Sequence, residues 1–322
     1  MPKPSYWQKY DLLYKKHSKK SLYKKLLAEC KKLGIPYQKS DNRGRKPKFS
    51  AYEYSAFIAL EKVFRHRYRE MELEIELILG DKVDHSTLHR NYEKIPQKYI
   101  EKLVENLVNK KFIYWIADST AISSKIRVER TRQGTRKKEL LTNKYHIVAG
   151  YDPKYQEVQI LGVKATDNHV SDSQGAIEVL QDKKSNAYFF GDSAYNTYEL
   201  HEVAKKAGLF SLLKPDRKGI RKTLSVKAKN IKLFCENLYK EVRGIVETVF
   251  GGATNAGLIL SYAKKEQNRR KDTLMLALRH NLFANLRVLT KEFNNACRKL
   301  SRLWLFCDKL QRVKIREVNY EF

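Results

Sequence analysis

Apolar residues in this chain change their spacing near residue 112. Upstream they recur at helical intervals. Ser50 is placed to cap a helix, with Glu53 as its capping-box partner, and Phe57, Leu60 and Phe64 follow at helical spacing. Met71, Ile75, Leu77 and Ile78 mark a second helix that stops at Gly80. Asp84 caps a third, His85 to Tyr92, and Pro96 follows it. Downstream, short aromatic-rich runs read as buried strands: Phe112 to Asp118, Tyr145 to Tyr151, Val158 to Val163, Tyr188 to Gly191 and Leu209 to Leu213. Asp152-Pro153-Lys154 is turn chemistry, so the second and third strands form a hairpin. Ser171 or Asp172 caps a helix carrying Ala176, Ile177, Val179 and Leu180, and another helix over 197–207 ends at Gly208. Two long helices, about 236–250 and 270–293, complete the pattern. The order β-β-β-α-β-α-β-α-α predicts an α/β mixed sheet with helices on both faces, preceded by an all-α region.

Charge changes the picture next. Lys and Arg number 65 against 36 acids, a net +29, while apolar residues make up 42% of the 322. A chain of this kind can bury a core and still favours polyanions as partners. The basic surplus is concentrated: residues 1–50 hold 15 cations and three acids, and 264–316 hold 15 and four. Asn42 to Pro47 reads as a loop, either a basic arm on DNA or a solvated linker. The segment Lys125 to Lys138 reads as a loop joining the first two strands, with Arg132, Arg136, Lys137 and Lys138 available to a DNA backbone. Gly80 and the short polar helix after it suit a helix-turn-helix reading element, in which Ser86, Thr87, His89, Arg90 and Asn91 are capable of meeting base edges. Cys30, Cys235, Cys297 and Cys307 show no metal-ligand spacing and read as reduced thiols of a cytoplasmic protein. No signal-peptide region precedes the first helix and no apolar stretch nears the roughly 20 residues of a membrane span.

Three acids carry the chemistry. Asp118 and Asp192 each end an apolar run, and a carboxylate there is costly to desolvate unless something positive meets it. Tyr239, Arg243 and Glu247 are spaced by four and share a helical face. Two strand-end aspartates and a helical glutamate could hold two divalent cations for phosphoryl transfer, about 3.5–4 Å apart. Arg243 could then clamp a phosphate through its planar fork.

These residues carry a resemblance. Ile116-Ala-Asp118-Ser-Thr120, Gly191-Asp192-Ser-Ala-Tyr195, the segment Asn168 to Ser173, and Tyr239-x3-Arg243-x3-Glu247 resemble the motifs of DDE transposases of prokaryotic insertion sequences, of the insertion-sequence-4/5 type group. The resemblance covers about residues 45–290. The family's third motif carries a tyrosine one position closer to the arginine, and a lysine where this chain has Thr254. It implies a ribonuclease-H-like catalytic domain with Asp118, Asp192 and Glu247 as catalytic and metal-binding residues. Tyr239 and Arg243 are accessory, and two Mg²⁺ (or Mn²⁺) ions are the cofactors. It implies a DNA transposase that binds terminal inverted repeats of double-stranded DNA, cuts strands and joins them to target DNA. A homo-oligomer assembled on DNA, and a cytoplasmic, nucleoid-associated location, go with that reading. The expected organisation is a basic segment 1–49, a helical DNA-binding domain 50–110, a catalytic domain 111–293 and a basic helical tail 294–322. The alternatives are a ribonuclease-H-type nuclease without strand transfer and a transposase-derived binder that no longer cuts.

Overall fold

The computed structural model describes residues 18–38, 47–132, 135–154, 157–215, 233–255, 261 and 263–284. Those up to Leu282 belong to one compact unit. The chain opens with helices α1 (Lys19–Leu33), α2 (Ala51–Phe64), α3 (Tyr68–Leu79), α4 (His85–Lys94) and α5 (Gln97–Asn106). Local chemistry starts and stops them. Ser50 and Glu53 form the expected capping box, with the Ser50 N–H donating to Glu53 Oε2 at 2.7 Å. Gly80 closes α3 in the left-handed region at φ 75°, and the Asp84 carboxylate accepts from the Ser86 and Thr87 N–H groups to open α4. Tyr23 of α1 stacks on Phe57 of α2 at 4.2 Å, and Tyr99 of α5 donates to the Cys30 carbonyl. Within α3, Met71, Ile75 and Ile78 are buried, while Leu77 is 80% exposed. Positions 71, 75 and 78 share one face of a 3.6-residue helix, and 77 lies off it.

The sheet follows. Its strands are β1 (Tyr114–Arg132), β2 (Thr135–Asp152), β3 (Glu157–Asp167), β4 (Tyr188–Gly191) and β5 (Phe210–Leu213), in spatial order β3-β2-β1-β4-β5. β1 and β3 each pair antiparallel with β2, whereas β1, β4 and β5 run parallel to one another. Helices α6 (Asp172–Leu180) and α7 (Tyr198–Lys206) cover one face over a core that includes Trp115, Ala117, Phe189, Val179 and Leu200. Helix α8 (Glu236–Asn255) covers the other face, burying Tyr239, Val242, Val246 and Val249. A last helix, α9 (266–284), lies against the helical layer and β3. The mixed sheet with helices on both faces and an all-α region ahead of it is the expected ribonuclease-H-like fold class.

Two expectations about β1 need correction. The strand does not end at Asp118; it continues to Arg132. The segment 125–138 is accordingly no loop. It is a two-stranded ribbon in which Arg127 pairs with Leu140, Glu129 with Lys138 and Arg132 with Thr135. Ile126 and Val128 alternate with charged residues, a period of two that suits a strand, and Glu129 stands opposite Lys138 in register. Gln133 and Gly134 lie outside the described residues, as do residues 42–46 and the tail 294–322.

Close approach fixes α6 on the sheet. A Cβ added to Gly175 would lie 2.2 Å from Nδ1 of the buried His146, whose Nε2 pairs with Thr166 Oγ1 at 2.9 Å. Gly175→Ala should therefore destabilise the protein by about 1–3 kcal/mol in denaturant unfolding, despite alanine's better helix propensity. A stabilised variant would show that the helix can lift off β2 at no cost.

Candidate active site

Parallel pairing builds the site. Ile116 of β1 is in register with Phe190 of β4. Asp118 and Asp192 each lie two residues further on, so both face the side covered by α8. They line a shallow, open cleft together with Ile116, Ala117, Phe190, Gly191, Tyr239, Arg243 and Val246. Asp192 Oδ1 accepts the Ala194 N–H at 2.8 Å and opens a short 3-10 turn, Ser193–Tyr195. Asp118 Oδ1 accepts the Ser119 N–H at 2.8 Å.

The electrostatics fit a cation site. Burial pushes the Asp118 carboxyl up to about 6 and the negative Asp192 and Asp172 add to the shift, while the Ser119 N–H and the Arg243 guanidinium oppose it. Tyr239 is buried beside Arg243, and its hydroxyl makes no hydrogen bond of good geometry. Two converging carboxylates and an orphaned hydroxyl are the donor set that a hydrated divalent ion with phosphate oxygens would complete.

Glu247 stands apart. It does not line the cavity; its side chain is 66% exposed and lies 3.8 Å from Arg243 Nε. Spacing by four places 239, 243 and 247 in one stripe, but four residues overshoot a 3.6-residue turn, so the stripe drifts. Tyr239 is buried, Arg243 stands at the rim and Glu247 faces outward. Among the described residues, the acidic and histidine groups whose ligand atoms lie within 4.8 Å of one another are Glu72, Asp84 and His85, at α3 and α4. Those groups serve local structure: Asp84 caps α4, and Glu72 accepts from the His85 backbone and ring.

Asp172 reads in sequence as a helix start, which it is. It also reaches the site. Its carboxylate accepts from Ser119 Oγ and pairs with Lys144 at 2.7 Å, fastening β1 immediately after Asp118. The only sequence signal was the Asn168 to Ser173 segment, since 53 residues separate Asp172 from Ser119. Asp152 and Asp167 pair with Lys110 and Arg270 and stay outside the cavity. On α4, Ser86, His89 and Arg90 are exposed, Thr87 is half-buried and Leu88 and Tyr92 face the core. Arg132, Arg136, Lys137 and Lys138 fall on the β1–β2 ribbon.

Residues 116–282 match the family model described as Transposase DDE domain, more than half of the 322-residue chain. The chain belongs to this transposase family. It is a DNA transposase, and the match spans the cavity and both aspartates. No curated protein matches the chain. Among solved structures it is similar to a piggyBac transposase in a cryo-EM synaptic complex with hairpin DNA. The identity is 7%, covering 85% of this chain and 74% of that one, with a TM-score of 0.41. It is also similar to the Drosophila P element transposase in a strand transfer complex, at 11% identity, covering 92% and 66%, with a TM-score of 0.28. Among the described residues no helix is long and apolar enough to cross a membrane.

The raised Asp118 has a measurable consequence. Its folded value, about 6, exceeds its ordinary 3.8, so the folded state holds the proton more tightly. That contribution to stability is fully present below pH 3.8 and is lost as pH rises through 6. Metal-free wild type should therefore lose stability relative to Asp118→Asn between about pH 4 and 6, and at pH 7 the variant should melt higher. Added Mg²⁺ should raise the melting temperature of wild type and leave Asp118→Asn unmoved. A wild-type-to-variant difference that is flat across this range would show that Asp118 ionises as it does in water.

Proposed function

We propose that this transposase cuts and joins DNA at the cavity between β1, β4 and α8, with Asp118 and Asp192 as the metal-binding carboxylates. The observation that carries the reading is the convergence of these two aspartates, from adjacent parallel strands, on one cavity with Arg243. Divalent cations, when bound, supply Lewis-acid activation of the attacking oxygen and stabilise charge on the leaving 3′ oxygen. The chain's own residues orient the phosphate. Arg243 offers a planar fork to the scissile phosphate, and the Tyr239 hydroxyl is free to donate to a phosphate oxygen. Glu247 is the third ligand in this reading. It lies on the same helix as Arg243, and a rotamer change that breaks its 3.8 Å contact would free its carboxylate for the cavity mouth.

In the same reading the terminal inverted repeats are recognised by residues 50–110, through Ser86, Thr87, His89 and Arg90 on α4. The β1–β2 ribbon follows a phosphate backbone with Arg132, Arg136, Lys137 and Lys138. A two-stranded ribbon fits a major groove, and this one departs from the strand that carries Asp118. Assembly of more than one copy on DNA and the insertion-sequence-4/5 grouping belong to this proposal.

The test is cleavage of DNA bearing the element's ends. Asp118→Asn and Asp192→Asn keep side-chain size and remove charge, so Mg²⁺-dependent cutting should vanish while DNA binding persists. Strand cutting at wild-type rate by either variant would refute the site. Arg243→Lys should lower cutting clearly at an unchanged melting temperature. A helix-surface ion pair contributes only about 0.2–0.5 kcal/mol, and lysine would replace it without loss. Joining of the freed 3′ hydroxyl to a second duplex separates a transposase from a nuclease that only cuts.

A further inference from the structure

The carboxyl end of α4 is tied to α9 by a buried cation. Lys271 is fully buried, and its ammonium donates to the carbonyls of Tyr92 at 2.6 Å, Glu93 at 3.3 Å and Ile95 at 3.2 Å. The last carbonyls of a helix lack partners within it and carry the negative end of its dipole. A side chain some 180 positions away in sequence adds a charged donor to this end, where the Tyr92 carbonyl also accepts the Ile95 N–H at 3.3 Å. The ammonium also stands 4.5 Å over the Tyr92 ring.

The adjacent residue repeats the tie. The Asp272 carboxylate accepts from the Tyr92 hydroxyl at 2.7 Å, from Ser261 at 2.7 Å and pairs with Lys62 of α2 at 3.2 Å. Lys265 pairs with Glu93 at 2.6 Å. Further along α9, the Asn281 side chain bonds the Ile160 backbone of β3 in both directions and the Val104 carbonyl of α5. β3 pairs with β2, and β2 with β1, which carries Asp118. Every link from α4 to the aspartate is a hydrogen bond between ordered elements.

We propose that Lys271, with Tyr92 and Asp272, is a positioning device that fixes the DNA-reading helix at one distance from the catalytic cavity and so sets which phosphodiester is cut. It rests on the reading of α4 as the recognition helix. The contacts made by α4 to bases decide where the protein sits on DNA, and the α9 ties convert that register into a position of the scissile phosphate. No residue of this device touches the cavity.

The experiment maps cleavage to single-nucleotide resolution on DNA carrying an element end. Lys271→Met should keep binding to the end and its preference over random DNA. Cutting at the wild-type phosphodiester should fall about a hundredfold, the scale expected when reacting groups shift by ~1 Å, and should spread to neighbouring positions. Tyr92→Phe removes one hydroxyl, preserves packing and should shift cutting in the same direction by less, so it carries the test if Lys271→Met does not fold. Folded variants that cut only at the wild-type phosphodiester, at the wild-type rate, would overturn the proposal. Arg90→Ala is measured beside them. If it loses end preference while both α9-contact variants cut as wild type, the positioning device alone is refuted. If it retains full end preference, the recognition reading fails and this inference fails with it.

Discussion

The parallel register between β1 and β4 is the constraint on which the site depends. Ile116 lies beside Phe190, and two residues further along each strand stands an aspartate. A strand alternates its side chains with period two, so a shift of one residue in either strand would turn that aspartate to the opposite face. That face belongs to α6 and α7 and to an apolar core. The register is held by what lies beneath. Trp115, Ala117 and Phe189 are buried on the α6–α7 side, and exposing them would cost more than any single ion pair returns. The apolar half of β1 and β4 therefore aims the acidic residues.

Burial then works against the aspartates. Asp118 is taken partly out of water beside Asp192 and Asp172, and among the described residues Arg243 and the Ser119 N–H offset part of the loss of hydration. The carboxyl is thereby held above its ordinary range, as is common where like charges converge in a cleft. The wider chain compensates by charge. Its +29 favours phosphates as partners, and one of its cations, Arg243, lines the cavity itself. Asp172, pairing with Lys144 and bonded by Ser119, holds β1 at the point where a mobile carboxylate would be least useful.

At α9 the helical layer and the sheet are joined by buried polar contacts as well as by the buried apolar residues Leu274, Leu278 and Leu282. Lys271 donates to carbonyls at the end of α4, Asp272 accepts from the Tyr92 hydroxyl, and Asn281 bonds the backbone of β3. Such contacts are directional, so they set orientation where hydrophobic packing alone tolerates sliding.

Local chemistry was legible in the sequence. The Ser50–Glu53 capping box, the Gly80 stop, the Asp84 cap and the hairpin at Asp152-Pro153-Lys154 each follow from residues that act within four positions of one another. The order of elements, and with it the fold class, came from periodicity, and the aspartates at 118 and 192 stood out as charges ending apolar runs. Pairing was not legible. That β1 runs on to Arg132 as a ribbon depends on a partner strand whose charges hide its alternation. The outward turn of Glu247 depends on how α8 rolls against the sheet, which Val242, Val246 and Val249 decide and a spacing of four does not. The reach of Asp172 to Ser119, and of Lys271 to the end of α4, spans 53 and 176–179 residues. Sequence determines contacts that a single turn or helix can close. Contacts between distant segments are fixed only when the core packs, because their cost in chain entropy is met by burial elsewhere.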